Sequence, residues 1–472
     1  MKLRYVIPCL LVLLLSTGAW AESPLLKSTA DDQTAIEITV YNSNIGLVKD
    51  TRIVPLRAGR GEMRFMDVAA HIMPVTVHVS SKGEPQPLRI LEQNYEYDLM
   101  NGRKLLDKYV GKQIKIVDRH RYQDRKDVIE ATLLSNNEDQ IYKIGGEIYI
   151  GHPGIKVLPE IPENLIAQPT LTWFFESRSD TPQQIEVSYL TGNIGWKADY
   201  VMVLDKNDVS SALAGWVTID NKSGATYREA KLKLIAGEVN RVKAPQADMT
   251  VRRELLAAKA APQFEEQSFF EYHIYDLLRR TTIKHNQTKQ ISLLEAAPVG
   301  VTKTYNVYGT SGYFTRAYAG KKQRQPVEVH ISFMNSADNN LGMPLPAGVI
   351  RLYKKDAAES QQFIGEDSIV HTPKDEKVIL KVGKAFDIVV ERTQTDFKQI
   401  TSRLFESEWK IILKNHKAED ITVNIVEPIY GNWEITDNSH PYRKVDAFTV
   451  RFNVPVAKDG EVTVSYRARL GI

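Results

Sequence analysis

Apolar and polar residues alternate with a period of two along most of this chain, and this pattern restricts the fold more than any other feature. Clear examples are Ile36–Tyr41, Val75–Val79, Gln113–Val117 and Glu461–Tyr466. Successive side chains of a β-strand point to opposite faces, so this period predicts strands with one buried face. Turn residues separate many of the runs, as at Gly145-Gly146 and Lys458-Asp459-Gly460. The chain is therefore predicted to be all-β, with antiparallel β-sandwich domains.

A block of short strands in the first third of the chain predicts a small inserted β-barrel. The block occupies residues 104–160 and follows an N-terminal β region at residues 22–103. Its predicted strands are Gln113–Val117, Val128–Leu134, Gln140–Ile144, Glu147–Ile150 and Lys156–Leu158. Short strands joined by tight turns are typical of small barrels, so we expect this block to fold around a core of its own.

Longer strands follow, and one segment interrupts them. Residues 166–242 are predicted to form a first β-sandwich segment, and residues 268–472 a C-terminal β-sandwich region. Between them, residues 243–267 are rich in alanine, charge and glutamine and contain Pro245 and Pro262. We interpret this segment as an exposed, mobile linker with a short helix around Arg252–Ala260.

The first 21 residues have the pattern of a secretory leader, and we expect it to be cleaved. Lys2 and Arg4 precede an apolar run from Val6 to Leu15, and Ala19-Trp20-Ala21 is a small-x-small cleavage signal. A membrane-spanning helix needs roughly 20 apolar residues, so this run favours a signal peptide over a retained anchor. The predicted location is outside the cytoplasm, with the periplasm favoured and the extracellular space or the outer surface as alternatives.

Cleavage would change the chemistry that the chain can use. Cys9 is the one cysteine, so a mature chain without it could form no disulfide. Loss of Lys2 and Arg4 would leave 59 basic residues against 58 acidic ones. Such a balance gives no general attraction to nucleic acid or to anionic lipid. We therefore predict no nucleic-acid partner. No later stretch is long and apolar enough to span a membrane, so we predict no transmembrane segment in the mature chain, and the oligomeric state stays open.

Short motifs rich in tyrosine, tryptophan and glycine are distributed between residues 93 and 275. They are Gln93–Leu99, Tyr189–Thr191, Trp196–Tyr200, Gly215–Ile219, Asn221–Gly224, Ala236–Val242 and Glu271–Tyr275. In combination they resemble the bacterial domain of unknown function family numbered 4139, over nearly the whole mature chain. The resemblance implies an exported, β-rich bacterial protein without an assigned reaction. It transfers no catalytic residues, and the coiled coil that precedes the domain in longer members has no counterpart here.

An acidic segment at residues 92–98 offers the best candidates for a ligand-binding strand. In an extended strand, Glu92, Asn94, Glu96 and Asp98 share one face. Carboxylates two residues apart on a strand lie about 6–7 Å from each other, near the spacing of inverting glycosidases. A solvated or salt-bridged strand face is the ordinary explanation of this pattern. Contact with a cation or ligand, and acid–base catalysis, are the alternatives.

The tryptophans provide a second set of candidates. Trp173 and Trp216 lie inside apolar strands and are predicted to pack in the core. Trp196 and Trp433 follow glycine-containing turns, so we expect these two side chains to be exposed. An exposed indole could stack against a glycan ring or another flat ligand.

No reaction motif accompanies these candidates. The ten histidines show neither the His-x-His nor the His-Glu-x-x-His spacing of zinc sites. Gly-x-Ser-x-Gly and the phosphate-binding glycine loop are also absent from the sequence. The sequence therefore predicts no catalytic residue, no metal site and no cofactor.

The leading hypothesis is a non-enzymatic cell-envelope protein that binds a protein or a glycan. Its predicted ligand-binding residues are Glu92, Glu96, Asp98, Trp196 and Trp433. The alternative is a periplasmic hydrolase or sugar-modifying enzyme whose carboxylates come from separate strands. A cleft that brings opposing carboxylates together would favour the enzyme, and an open strand face would favour the binding protein.

Overall fold

Strands dominate the described part of the chain from end to end, which confirms the all-β prediction. The computed structural model describes residues 25–81, 88–96, 100–119, 126–162, 168–237, 263–318 and 320–472. The predicted leader lies outside these residues, as does the linker over 243–262 with its predicted helix. The last residues of that linker belong to a strand that begins at Phe264. No helix in these ranges is long and apolar enough to cross a bilayer.

The described residues form 33 strands, one α-helix and four short 3-10 helices. Strands in the first half are β1 (Leu26–Ser28), β2 (Gln33–Tyr41), β3 (Ile45–Pro55), β4 (Gly59–Met66), β5 (His78–Ser81), β6 (Leu88–Glu96), β7 (Gln113–Arg119), β8 (Lys126–Asn136), β9 (Gln140–Ile144), β10 (Glu147–Ile150), β11 (Ile155–Val157), β12 (Thr170–Ser177), β13 (Pro182–Gly192), β14 (Ile194–Leu204), β15 (Ser210–Asn221) and β16 (Tyr227–Ala236). Strands in the second half are β17 (Phe264–Phe269), β18 (Tyr272–Leu277), β19 (Thr281–Ile283), β20 (Gln287–Gly300), β21 (Thr302–Tyr308), β22 (Gln323–Gln325), β23 (Glu328–Met334), β24 (Gly348–Lys355), β25 (Gln361–Ile369), β26 (Lys377–Lys384), β27 (Ile388–Thr401), β28 (Leu404–Asn415), β29 (Ile421–Pro428), β30 (Asn432–Asn438), β31 (Tyr442–Asp446), β32 (Thr449–Val456) and β33 (Glu461–Gly471). The helix α1 spans Gly102–Lys108, and the 3-10 helices span Ala30–Asp32, Pro74–Thr76, Ser311–Phe314 and Ala337–Asn339.

The chain divides into two compact units. Among the described residues, the first contains residues 25–36 together with those of Val48–Thr191 and Ser223–Ala225. The second contains Glu37–Leu47, Gly192–Lys222 and Thr226–Ile472.

The first unit contains a sheet in the order β1-β4-β12-β6, and β3, β13 and β5 are successive neighbours in another sheet.

A fully buried arginine connects three strands of this unit, β3, β1 and β4. The Arg52 guanidinium donates to the Asp50 carboxylate at 2.8 Å and to the carbonyl oxygens of Ser28 and Met66. It also lies 3.6 Å from the centroid of the Phe65 ring. Several hydrogen bonds to one buried cation offset the cost of removing its charge from water.

The predicted barrel inside this unit is an open sheet in the order β10-β9-β8-β7-β11, so the prediction of a closed barrel is wrong. In the described residues the edge strands β10 and β11 each pair with one neighbour, and they are only four and three residues long. The helix α1 contributes Leu106 to the core of this sheet, beside Ile116 and Tyr142. Asn101 caps the N-terminus of the helix, and its side chain accepts a hydrogen bond from the Lys104 amide.

The second unit contains a five-stranded sheet in the order β20-β15-β14-β24-β25. The hairpin of β14 and β15 is antiparallel, whereas β14 and β24 are parallel and pair Leu204 with Lys354. Also in this unit, β16 lies between β18 and β2, with β17 on the far side of β18.

The C-terminal part of the second unit is a β-sandwich. Its sheets have the orders β26-β23-β21-β29-β32-β31 and β22-β27-β28-β33-β30. Apolar side chains from both sheets form one core that includes Val307, Trp409 and Phe452. The alternation found in the sequence has therefore produced one buried face on each sheet.

An ion pair lies inside this sandwich. Arg392 and Glu427 are both fully buried, and the guanidinium donates to the carboxylate at 2.5 Å. The same guanidinium donates to Gln325 Oε1 at 2.7 Å and to the Tyr466 hydroxyl at 3.3 Å. Burial raises the pKa of Glu427, and the charge of Arg392 opposes that shift. Gly309 leaves room for the carboxylate, because a Cβ atom at that position would overlap it.

Several sheets are mixed, although the sequence predicted antiparallel pairing. The described pairs include four parallel ones, which join β1 to β4, β2 to β16, β14 to β24 and β21 to β29. Turn residues identify hairpins between consecutive strands, but they carry no information on pairs that are distant in sequence.

Candidate functional site

The acidic segment forms part of β6, the strand at the edge of the β1-β4-β12-β6 sheet. The register against β12 places Glu92 opposite Phe174, Asn94 opposite Thr172 and Glu96 opposite Thr170. The predicted sharing of one face by Glu92, Asn94 and Glu96 is therefore confirmed, because directly paired residues point to the same side. The opposite face carries Gln93, whose side-chain oxygen accepts a hydrogen bond from the buried Trp173 indole at 2.9 Å.

These carboxylates lie on an open strand face. Glu92 is exposed, and the half-buried Glu96 accepts a hydrogen bond from the Thr172 hydroxyl at 2.8 Å. Asp98 lies outside the described residues. Within the described ranges, no group of three or more His, Cys, Asp or Glu side chains is arranged to hold a metal ion. The exposure of Glu92 and the contacts of Glu96 agree with a solvated strand face, the ordinary explanation of this acidic pattern.

The prediction that Trp196 is exposed is wrong. Only 4% of its surface is accessible, and its indole nitrogen donates to the Ile235 carbonyl at 3.1 Å. The turn ends earlier than expected, because Asn193 takes the left-handed conformation and β14 already begins at Ile194. Trp196 thus shares the buried face of the strand with Ile194, and its ring packs against Tyr275.

Trp433 is half-buried rather than fully exposed. Its indole nitrogen donates to the Ala447 carbonyl at 2.9 Å, and its ring packs on the core of the C-terminal sandwich. The Lys444 ammonium lies 4.9 Å from the ring centroid. A flat ligand would have to displace this lysine before it could stack on the ring.

The two tryptophans predicted to be in the core have different positions. Trp173 is fully buried, which confirms the prediction for this residue. Trp216 is only half-buried, and it lies on the opposite face of β15 from the buried Val217. Its predicted place in the core is therefore wrong.

A cleft in the second unit brings together charged residues that the sequence did not group. We call it the lysine cleft, and it has a volume of about 220 Å³. Its lining includes Asp208, Lys303, Tyr305, Lys354, Ile364, Val382, Phe386, Asp387 and Lys417. Three cations, two carboxylates and an apolar wall therefore face one small space.

Asp208 occupies the turn between β14 and β15. The turn is fixed by the Asp205 carboxylate, which accepts hydrogen bonds from the Val209 amide and the Ser210 hydroxyl. Asp208 itself has a φ of 58°, in the left-handed region that aspartate tolerates better than most residues. The Asx-type geometry of the turn thus aims the Asp208 carboxylate into the cleft.

Two different contacts of the backbone place Lys354 and Lys303 beside Asp208. Parallel pairing with β14 places Lys354 of β24 beside Leu204, at the end of the strand that leads into the turn. The connection from β20 to β21 contacts the same turn, because the Val301 amide donates to the Val209 carbonyl at 3.0 Å. Lys303 lies two residues after Val301, near the start of β21. As a result, one oxygen of Asp208 accepts from Lys303 at 2.5 Å and the other from Lys354 at 2.6 Å.

The pKa values of Asp208 and Lys303 are shifted in opposite directions by their contact. Burial by itself would raise the pKa of Asp208, but hydrogen bonds and charges from Lys303 and Lys354 outweigh it and lower that pKa. Burial would likewise lower the pKa of Lys303, but Asp208 and Tyr305 outweigh it and raise that pKa. Asp208 is therefore ionised and Lys303 is protonated, so the lysine has no lone pair for nucleophilic attack.

The remaining wall of the cleft is apolar and accessible. Phe386 is 95% exposed, and Ile364 and Val382 lie beside it in the lining. Lys417 completes the rim, with its ammonium 6.0 Å from the Tyr305 ring centroid and 3.4 Å from Glu419. An exposed phenyl ring beside protonated amines is suited to a ligand with an apolar part and a negative charge.

The sequence contained little that could have identified this cleft. Asp208, Lys303, Lys354 and Lys417 come from four separate segments with no common spacing. The one local indication was the Asp205–Asp208 segment, whose composition is typical of a turn that leaves a carboxylate exposed.

Comparison with known proteins adds no relative: no family model matches the chain, and no curated protein has a matching sequence. The resemblance to the domain of unknown function family numbered 4139 remains a prediction.

Proposed function

We propose that this chain is a non-catalytic binding module of the bacterial cell envelope. Its lysine cleft would recognise an acidic polypeptide segment in which an apolar residue lies next to a carboxylate. The observation that carries this proposal is the sharing of the single Asp208 carboxylate by Lys303 and Lys354. The envelope location depends on the predicted leader.

The shared carboxylate leaves donors available for a ligand. Each ammonium group has three N–H donors, and Lys354 contributes one of them to Asp208. Together the two lysines and Asp208 carry one excess positive charge. A ligand carboxylate that bridged Lys303 and Lys354 would neutralise this charge with charge-assisted hydrogen bonds, each contributing about 1.5–3 kcal/mol.

The dimensions of the cleft favour a side chain over a larger ligand. Small-molecule sites usually have volumes of roughly 300–1,000 Å³, and the lysine cleft has about 220 Å³. Its apolar wall combines Phe386 with the aliphatic Ile364 and Val382. Aliphatic walls suit an apolar amino-acid side chain, because they offer it contacts without leaving a polar group unpaired. The cleft thus fits an acidic residue and an apolar neighbour.

The protonation states argue against catalysis in this cleft. A general base needs a pKa near the working pH, but the pKa of Asp208 is held below its ordinary value. A lysine nucleophile needs a lowered pKa, but that of Lys303 is raised. Asp208 and Lys303 therefore act better as fixed charges than as proton carriers.

The test uses two immobilised hexapeptide libraries that share the same apolar residues. One library contains Asp or Glu at a fixed position, and the other contains Asn or Gln there. We expect the chain to bind the acidic library and not the amide library. We expect Lys354→Gln and Phe386→Ala each to weaken that binding at least about tenfold, equivalent to about 1.4 kcal/mol.

Lys322→Gln is the matched control, because Lys322 is an exposed lysine outside the cleft lining. Thermal unfolding of each variant establishes that the fold is kept. Equal binding of both libraries, or equal losses for Lys354→Gln and Lys322→Gln, would contradict the proposal. Selective capture of uronic-acid oligosaccharides on a glycan array, with no peptide bound, would overturn the choice of a polypeptide ligand.

A further inference from the structure

The strand β10 forms one edge of the open sheet in the first unit. In the described part of the chain, β10 pairs with β9 alone. Its sequence, Glu147-Ile148-Tyr149-Ile150, contains no proline and no lysine. Soluble proteins usually protect such edges with charge, proline or a bulge, because an exposed edge pairs readily with another strand. This edge lacks proline and lysine, and its pairing with β9 has a regular register.

The backbone groups that point outward can be identified from the hairpin. The Gly151 amide donates to the Gln140 carbonyl at 2.7 Å, so the backbone of residue 151 faces β9. Backbone orientation alternates along an antiparallel strand, so Tyr149 and Glu147 also face β9. The N–H and C=O groups of Ile148 and Ile150 consequently point to the free edge.

The side chains of the same two residues are also exposed. Ile148 and Ile150 are 68% and 74% exposed, and they lie on the same face of the sheet. Tyr149 points to the other face, opposite the buried Tyr142. Among the residues that the structure describes, the edge thus offers outward-pointing backbone groups and apolar side chains at the same two positions.

We propose that β10 pairs antiparallel with β10 of a second copy of this chain, with Tyr149 on the twofold axis. In this register Ile148 lies opposite Ile150 of the second copy, and Ile150 lies opposite its Ile148. Both members of each pair direct their backbone groups outward, so the two pairs make four backbone hydrogen bonds. The four isoleucine side chains meet on one face, and the two five-stranded sheets become one.

The position of the charged residue and the symmetry of the pairing support a second copy of this chain as the partner of β10. Glu147 is the one charged residue of the strand, and this register places it opposite Gly151 of the other copy. The two Glu147 side chains then lie at opposite ends of the interface, where they do not repel each other. Moving the register by one residue would put each isoleucine on the face opposite to its partner, so the pattern selects this alignment.

The interface is small, so a weak dimer is expected. A pair of four-residue strands buries less than the roughly 1,200–2,000 Å² of a stable interface. A dissociation constant on the order of 10–100 µM is consistent with that size. Sedimentation velocity over a concentration series that spans this range should show a reversible change from monomer to dimer. A chain that remains monomeric throughout would overturn the proposal.

Substitutions distinguish this edge from other surfaces of the same sheet. Ile148→Lys should abolish the dimer, and Ile148→Pro should also abolish it, because the lost N–H is one that faces outward. The matched controls are Val128→Lys and Ile155→Lys, at residues that are 59% and 53% exposed on β8 and on the opposite edge strand β11. Loss of the dimer in either control, with retention in Ile148→Lys, would place the contact elsewhere.

A cysteine on the twofold axis tests the register directly. Tyr149 would face Tyr149 of the second copy as a non-hydrogen-bonded pair, with Cα atoms about 4.5 Å apart, within the range that a disulfide spans. In a Cys9→Ser background, which contains no other cysteine, Tyr149→Cys should form a covalent dimer under mild oxidation. Ile155→Cys is the control and should stay monomeric. Equal cross-linking of both variants, or none with Tyr149→Cys, would refute the register.

Discussion

Lys303 donates a hydrogen bond to the Asp208 carboxylate at 2.5 Å, although 95 positions separate the two residues in the sequence. Lys354 donates to the other carboxylate oxygen at 2.6 Å. The carboxylate therefore connects three parts of the second unit: the turn after β14, the start of β21 and the end of β24.

This arrangement predicts an acid-sensitive contribution to stability. The lysines lower the pKa of Asp208 in the folded state, whereas in the unfolded state it is about 3.9. The contribution is complete above the unfolded pKa and is lost as the pH falls through the folded pKa. Urea denaturation between about pH 6 and pH 2 should therefore show a steeper loss of unfolding free energy in the wild type than in Asp208→Asn. The exposed Asp437→Asn is the control, and a wild-type slope equal to that of Asp208→Asn would contradict the prediction.

The buried ion pair of the C-terminal sandwich should be strongly coupled. Glu427→Gln leaves the buried Arg392 without its counter-charge, and we expect a loss of about 3–5 kcal/mol in the free energy of unfolding. Arg392→Met should cost a similar amount. The double variant Arg392→Met/Glu427→Met should lose less than the sum of the single variants, because it leaves no unpaired charge. A double-mutant cycle measures this difference, and additive losses would show that the pair is uncoupled.

The two tryptophans that were expected to be exposed should differ in their effect on stability. Trp196→Phe removes the donor to the Ile235 carbonyl in a buried site, so we expect a loss of about 1–3 kcal/mol. Trp433→Phe alters a half-buried ring, so it should reduce the free energy of unfolding by less than Trp196→Phe does. Chemical denaturation of both variants, followed by circular dichroism, measures the comparison. A larger loss for Trp433→Phe would conflict with the burial described for these two rings.

Gly309 should not tolerate a side chain. A Cβ atom at this position would overlap the Glu427 carboxylate, which is fully buried and bonded to Arg392. Gly309→Ala should therefore destabilise the protein by about 1–3 kcal/mol, as other overpacked sites do. Gly383→Ala is the matched control, because no atom lies within 4 Å of the added Cβ. Thermal unfolding should show a lower midpoint for Gly309→Ala alone, and equal midpoints would argue against the overlap.

Local patterns in the sequence located many elements accurately. The predicted strands Gln140–Ile144 and Glu147–Ile150 have the observed bounds, because the Gly145-Gly146 turn fixes the hairpin between them. The alternating run Val75–Val79 was misleading. A 3-10 helix occupies Pro74–Thr76, and β5 begins only at His78. Proline at residue 74 has a fixed φ and no N–H, so it begins the 3-10 turn and delays the strand.

The candidate site was much less predictable than the strands. Alternation correctly placed Glu92 and Glu96 on one strand face, because side-chain direction follows from the backbone alone. The alternating pattern could not show whether another part of the chain packs against that face. Trp196 shows the same limit, since ending the turn at Asn193 was enough to move its indole from the predicted surface into the core.

The sequence by itself determined that the chain is all-β and which residues of many strands share a face, since both follow from a two-residue period and local turn chemistry. Tertiary structure alone decided which strands are neighbours. Parallel pairing of β14 with β24 put Lys354 beside the turn that carries Asp208, and the connection into β21 added Lys303. Such contacts depend on the packing of distant segments, which no local spacing records.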